Sequence, residues 1–127
     1  MIFIVDDDEG VRDSLRLLLE CEGLEAHEFA SCRQFLDAVG PGDGDCLIVD
    51  VHMPRMSGLQ LLECMRRRGN RLPVIVISGR SDAATRNRAR AAGALAVVEK
   101  PYQPDEILNL VRLASGRAHL PPALPQP

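Results

Sequence analysis

Four short apolar runs, Ile2–Val5, Cys46–Val49, Val74–Ile77 and Leu95–Val98, recur along the chain with helical patterns between them. Each is rich in Val and Ile and lacks polar alternation, which predicts strands covered on both faces. A fifth stretch, Glu25–Phe29, is polar and weak and suits an edge strand. Val11, Leu15, Leu18 and Leu19 share one helical face before Gly23; Leu59, Leu62 and Met65 do so before Gly69, and Ile107, Leu108 and Val111 before Gly116. Phe35, Leu36 and Val39 mark a shorter helix before the loop 40–45. Strand and helix therefore alternate five times, and right-handed crossovers turn that order into a parallel sheet with helices on both faces.

Local signals agree. Ser57 and Gln60 have capping-box spacing, and Pro104 followed by Asp105 and Glu106 makes a favourable first turn. Glycines 23, 69, 93 and 116 stand where helix C-caps belong. The helical segment Asp82–Ala92 differs: its apolar positions are all alanine, so it buries little area and is expected to be the most weakly anchored. The proline-rich stretch 117–127 reads as a linker or its stub, which makes residues 1–116 one domain.

Composition narrows the function. The 127 residues carry a formal charge of −3, so no whole-chain basic field attracts nucleic acid. No apolar run approaches the roughly 20 residues that span a bilayer. Cys21, Cys32, Cys46 and Cys64 sit singly, without metal-ligand spacing, and read as reduced core cysteines of a cytosolic protein. Arg66–Arg68 read as a solvated helix C-cap favoured by the macrodipole, and His27 and His119 as surface residues. Of 15 basic residues only Lys100 is lysine, which raises the question of why arginine does not serve there.

In an open parallel sheet, function sits beyond the carboxyl ends of the strands. Asp6, Asp7 and Asp8 follow the first run, Asp50 follows Cys46–Val49, Ser78 follows Val74–Ile77, and Lys100 follows the last. Singly each has a plain reading: Asp7 or Asp8 a helix cap, Asp50 a loop carboxylate, Ser78 a turn residue, Lys100 a solvated charge. Their convergence on one edge makes a site. Two carboxylates about 4 Å apart repel by roughly 4 kcal/mol at an effective dielectric of 20, so the cluster needs Lys100 or a divalent ion. Oxygen-only ligands favour Mg2+ or Mn2+ over zinc. Beside such an ion, Asp50 can act as a nucleophile toward a phosphoryl group.

The segments FIVDDDEGVR, LIVDVHMPRMSGLQLL, PVIVISGRSD and GALAVVEKPY resemble the signatures of response regulator receiver domains of two-component systems, and within that family the FixJ-like subset. The resemblance covers about residues 1–115. It implies a flavodoxin-like, CheY-like α/β fold, doubly wound, with strand order 2-1-3-4-5 and five helices. It implies that Asp50 is the phosphoacceptor, that Asp7 binds Mg2+ directly and Asp6 largely through water, and that the His52 backbone carbonyl is a further ligand. Ser78 would hydrogen-bond the phosphoryl group, Lys100 would pair with it, and the Lys100–Pro101 bond is expected to be cis. The switch position usually held by Phe or Tyr is Val97, so signalling would depend on movement of the Ala/Arg helix itself; Tyr102 is the candidate aromatic on the output surface. The His52 side chain either tunes hydrolysis or is merely exposed.

The partners implied are a sensor histidine kinase, a second copy docked through the face of the fourth helix, fifth strand and fifth helix, and a DNA-binding output domain beyond this chain. The domain itself would bind neither membrane nor nucleic acid, and would catalyse only its own phosphorylation and dephosphorylation. Two alternatives stay open. A haloacid-dehalogenase-type phosphatase also begins with a strand and D-x-D, here Asp6 and Asp8, but the chain is too short for a cap and no acidic pair follows Lys100. A receiver-like interaction module without phosphorylation fits Val97, but not the full set Asp6, Asp7, Asp50, Ser78 and Lys100.

Overall fold

A computed structural model describes residues 1–80 and 82–116; the proline-rich stretch 117–127, with His119, lies outside the described residues. The elements run β1 (Ile2–Val5), α1 (Glu9–Cys21), β2 (Ala26–Phe29), α2 (Cys32–Ala38), β3 (Cys46–Asp50), α3 (Gly58–Arg67), β4 (Val74–Ser78), α4 (Ala83–Ala91), β5 (Ala96–Glu99) and α5 (Pro104–Ala114). All strand pairs are parallel, in the order β2-β1-β3-β4-β5. The α/β, doubly wound fold and the strand order are those expected.

The uniformly apolar strands arise because the sheet carries two cores. Phe3, Val5, Leu47, Val49, Val74 and Val76 point to one face, where α2, α3 and Ala89 of α4 cover them. Ile2, Ile4, Cys46, Ile48, Ile75 and Ile77 point to the other, against Leu15 and Leu19 of α1 and Ile107, Leu108 and Val111 of α5. Side chains alternate along a strand, so both parities must be apolar when both faces are covered.

Helix ends follow the predicted chemistry. Asp8 caps α1 by accepting from the Val11 N–H at 3.1 Å, and Ser57 and Gln60 form the reciprocal capping box of α3. Asp82 caps α4 by accepting from the Thr85 N–H. Gly23, Gly69, Gly93 and Gly116 all have φ between 77° and 81°, the left-handed turn that ends a helix.

Three expectations change. The last strand spans Ala96–Glu99 rather than starting at Leu95, and as an edge strand it buries only Val98 fully. Cys21 is exposed rather than in the core, whereas Cys32 and Cys46 are buried; burial raises the Cys32 thiol to about 11 and the Cys46 thiol to about 12. Arg66 is not a solvated cap. Its guanidinium donates to the carbonyls of Asn70 (2.9 Å), Leu72 (3.0 Å), Ala92 (3.0 Å) and Gly93 (3.0 Å). It thereby pins the turn after α3 to the turn after α4, taking up the Ala92 carbonyl at the α4 C-cap and three loop carbonyls. The weak anchoring of α4 is as expected: it buries Ala89 alone.

Candidate functional site

The sheet brings Asp6, Asp50, Ser78 and Lys100 to one edge because each lies at or just past the end of its strand. Val5 pairs with Val49 across β1 and β3, and Asp50 with Ile77 across β3 and β4. Asp6, Asp50 and Ser78 are buried, at 5%, 5% and 0% exposure. Lys100 donates to Asp50 Oδ2 at 2.6 Å, its side chain still 38% exposed. The other carboxylate oxygen, Oδ1, accepts from the His52 N–H at 2.7 Å. Asp50 is thus held on one side by a fixed amide and on the other by a flexible ammonium.

Electrostatics agree with the geometry. Burial raises the Asp6 carboxyl above its ordinary value of 3.8, with repulsion from Asp50 and Asp7 adding to it, against the Asp8 N–H and Lys100, which lower it. Burial by itself lowers Lys100, but its hydrogen bond to Asp50 and the charges of Asp50 and Asp6 outweigh that and raise it. The ammonium is therefore the local counter-charge.

An acid whose folded pKa is raised binds its proton more tightly when folded, so stability falls as pH rises through the window above 3.8. Asp6→Asn keeps the oxygen that accepts from the Asp8 N–H at 2.9 Å and removes the buried charge. With no divalent cation, this variant is expected to melt above the parent at pH 7, by about 4 °C for each kcal/mol relieved. The gain should vanish near pH 3, and a thermal melt that shows no gain at pH 7 contradicts the account.

Other predicted residues fall as follows. Asp7 is exposed, as is the His52 side chain. Among the described residues no three side chains of His, Cys, Asp or Glu stand together as a ready metal cage. The donor set nonetheless fits a hard cation: two buried carboxylates that repel one another, with the His52 carbonyl accepting no hydrogen bond from the described residues. Mg2+ ordinarily takes one or two carboxylates and keeps several waters. Ser78 is turned to its own loop, its Oγ donating to the Arg80 carbonyl at 2.7 Å and accepting from the Arg80 N–H at 3.1 Å. Val97 is half-buried against the α2–α3–α4 core, and Tyr102 is half-buried against the other. Lys100–Pro101 is cis.

Two residues escaped the sequence reading. A Cβ on Gly58, at the start of α3, would stand 2.4 Å from the Asp50 carbonyl oxygen and 3.2 Å from the Val51 Cα. Only glycine lets α3 pack this closely on the strand end, and a glycine opening a helix was the available signal. Arg12 donates to the Asp6 carbonyl at 2.8 Å, a contact with no sequence periodicity to reveal it.

Residues 2–112 match the family described as the response regulator receiver domain. The chain is 40% identical over 117 residues to the transcriptional regulatory protein FixJ of Azorhizobium caulinodans, covering 92% of this chain and 56% of that protein. It is 39% identical over 113 residues to the transcriptional regulatory protein TdiR of Thauera aromatica, covering 89% of this chain and 50% of that protein. The chain thus spans about half the length of the curated relatives it matches. Among solved structures, FixJ-N superposes with a TM-score of 0.79 at 34% identity, covering 91% of this chain and 92% of that one. A CheY-like receiver domain protein from Methanospirillum hungatei JF-1 gives 0.84 at 27%, covering 94% and 95%.

Proposed function

Because the chain belongs to the response regulator receiver domain family, we propose that it is a phosphorylation switch in which Asp50 accepts a phosphoryl group from a sensor histidine kinase. The observation that carries this reading is the buried Asp50 carboxylate with Lys100 bonded to it at 2.6 Å, beside Asp6 and Ser78 on one sheet edge. Residues 1–116 form the receiver and 117–127 lead toward an output module, which in a FixJ-like protein is a transcriptional DNA-binding domain. The setting is the cytoplasm; no helix among the described residues is long and apolar enough to cross a membrane.

Asp6, Asp7, Asp50 and the His52 carbonyl would hold Mg2+, or Mn2+ in its place. When bound, that ion supplies positive charge against the phosphoryl oxygens. An Asp50 oxygen forms the new P–O bond while the P–N bond to the kinase histidine breaks, and the imidazole leaves with the electron pair. The Lys100 ammonium passes from Asp50 Oδ2 to a phosphoryl oxygen. The Ser78 hydroxyl leaves the Arg80 carbonyl and donates to another, which loosens the loop ahead of α4. With Val97 in place of a swinging ring and only Ala89 buried, α4 itself moves, and the α4–β5–α5 face becomes competent for dimerisation or output. Shifting the active form from 1:99 to 99:1 takes about 5.5 kcal/mol of preference, within reach of new charged hydrogen bonds at about 1.5–3 kcal/mol each.

The test is incubation with acetyl phosphate and Mg2+, with and without EDTA, followed by intact mass. A gain of about 80 Da, one phosphoryl group, is expected only without EDTA. An unchanged mass overturns the reading in favour of an interaction module without phosphorylation, and steady turnover of a small phosphate ester that Asp6→Asn abolishes and Asp50→Asn does not overturns it in favour of a phosphatase. Lys100→Arg is expected to keep the mass gain but weaken phosphorylation-dependent dimerisation about tenfold, the equivalent of about 1.4 kcal/mol. A compact ammonium follows one oxygen as the strand shifts, whereas the planar fork does not. Sedimentation of the phosphorylated variant equal to the parent contradicts this role.

A further inference from the structure

We propose that Arg12 is a positioning residue for the acid loop, its guanidinium anchored by Glu28 and holding the Asp6 backbone so that Asp6 and Asp7 are set for a hard divalent cation. This rests on the function proposed above. Asp6 lies one residue beyond β1, where the ladder to β2 ends with Val5 opposite Phe29. Its N–H still reaches the Phe29 carbonyl at 3.2 Å, but its own carbonyl has outrun the strand that would bond it. Buried backbone carbonyls are almost always paired, and here the partner is a side chain. Arg12 Nη1 donates to the Asp6 carbonyl at 2.8 Å while its Nε donates to Glu28 Oε1 at 3.0 Å. The second Glu28 oxygen accepts from Arg16 Nη1. Arg12 and Glu28 are mostly buried, with side chains 15% and 18% exposed, so the pair is held rather than fluctuating in solvent.

The arrangement explains two details. Glu28 stands on the polar edge strand β2 because it braces a cation that crosses from α1 to the end of β1. An arginine is required because one planar fork must serve a carboxylate and a carbonyl together, which a lysine cannot do with fixed geometry. The contact is to the Asp6 backbone and not to its carboxylate. Asp6 Oδ1 is engaged by the Asp8 N–H at 2.9 Å, and Asp8 in turn caps the helix that carries Arg12. Arg12 therefore closes a ring through Asp6, Asp8 and the first turn of α1, and fixes where the acid loop points. Groups that orient metal ligands from outside typically change metal affinity 10–100-fold when lost.

The experiment is calorimetric titration of the full chain with MgCl2, together with hydrogen exchange of the Asp6, Asp7 and Asp8 amides without metal. Arg12→Met is expected to weaken Mg2+ binding about tenfold or more and to speed exchange at those amides, with Arg12→Lys recovering part of both. Glu28→Gln, which keeps the shape and removes the anchoring charge, should fall between parent and Arg12→Met, and carries the test if Arg12→Met fails to fold. Glu22→Gln, which breaks the exposed ion pair to Arg112 past the far end of α1, serves as control and should leave both readouts unchanged. Parent-like Mg2+ affinity in the folded Arg12 and Glu28 variants overturns the positioning role while leaving the phosphoacceptor reading intact. A parent chain that neither binds Mg2+ nor gains mass from acetyl phosphate overturns that reading, and the positioning role with it.

Discussion

Phe35→Ala is expected to cost about 3–5 kcal/mol of stability, the usual range for truncating a buried aromatic side chain to alanine. Phe35 projects from α2 with no exposure at all. Its ring meets Phe3 of β1 edge-on at 5.5 Å and Phe29 of β2 edge-on at 5.6 Å, and Phe3 and Phe29 stand 6.1 Å apart. The three rings form one cluster at the β2 end of the sheet, and such contacts add about 0.5–1.5 kcal/mol beyond area burial. The gap cannot close readily, because Phe3 is already wedged against Gly44, where even a Cβ would come within 2.2 Å of the ring. A domain of this size has about 5–15 kcal/mol of stability in total, so the loss takes a large share of it. Leu17→Ala is the control: Leu17 is 63% exposed on α1, and its loss should change stability by no more than about 0.5 kcal/mol. Urea unfolding of the three proteins checks both, and a Phe35→Ala cost below about 1 kcal/mol contradicts the described core.

The elements were legible from residues because each carries its signal locally. The apolar runs, the Ser57–Gln60 spacing and the glycines after α1, α3, α4 and α5 state period, start and stop within a few positions. The edge character of β2 was legible from its polar residues. That of β5 was not, since Ala96, Val97 and Val98 are as apolar as a covered strand and only the topology leaves them on an edge. The site was legible for a similar reason: Asp6, Asp50 and Ser78 stand directly at strand ends, and strand ends in a parallel sheet share one edge. Directions of side chains were not. Ser78 could be placed at the edge, but its hydroxyl turning to Arg80 depends on loop geometry. Arg66 looked like a solvated cap because charge runs at helix ends are usually solvated, whereas carbonyls 26 and 27 residues away draw it inward. Arg12 and Gly58 work through backbone atoms of distant segments, and no local pattern records such contacts.

Asp50→Asn is expected to remove phosphorylation completely while leaving the fold in place. Asparagine keeps an oxygen to accept from the His52 N–H, now met at 2.7 Å; its amide nitrogen cannot accept from Lys100, whose side chain is 38% exposed and can turn to water. It has no carboxylate to form the P–O bond, so no residual rate through this position is possible. Asp6, Asp7 and Asp8 also stand at this end of the sheet, just past β1. Of these four carboxylates only Asp50 is both buried and bonded to the ammonium, so none of the other three should take over. The most direct measurement is the intact mass of parent and Asp50→Asn chains after the same incubation with acetyl phosphate and Mg2+. The parent should gain about 80 Da, one phosphoryl group, and the variant nothing. A parent that gains no mass, or a variant that gains the same mass, contradicts Asp50 as the phosphoacceptor.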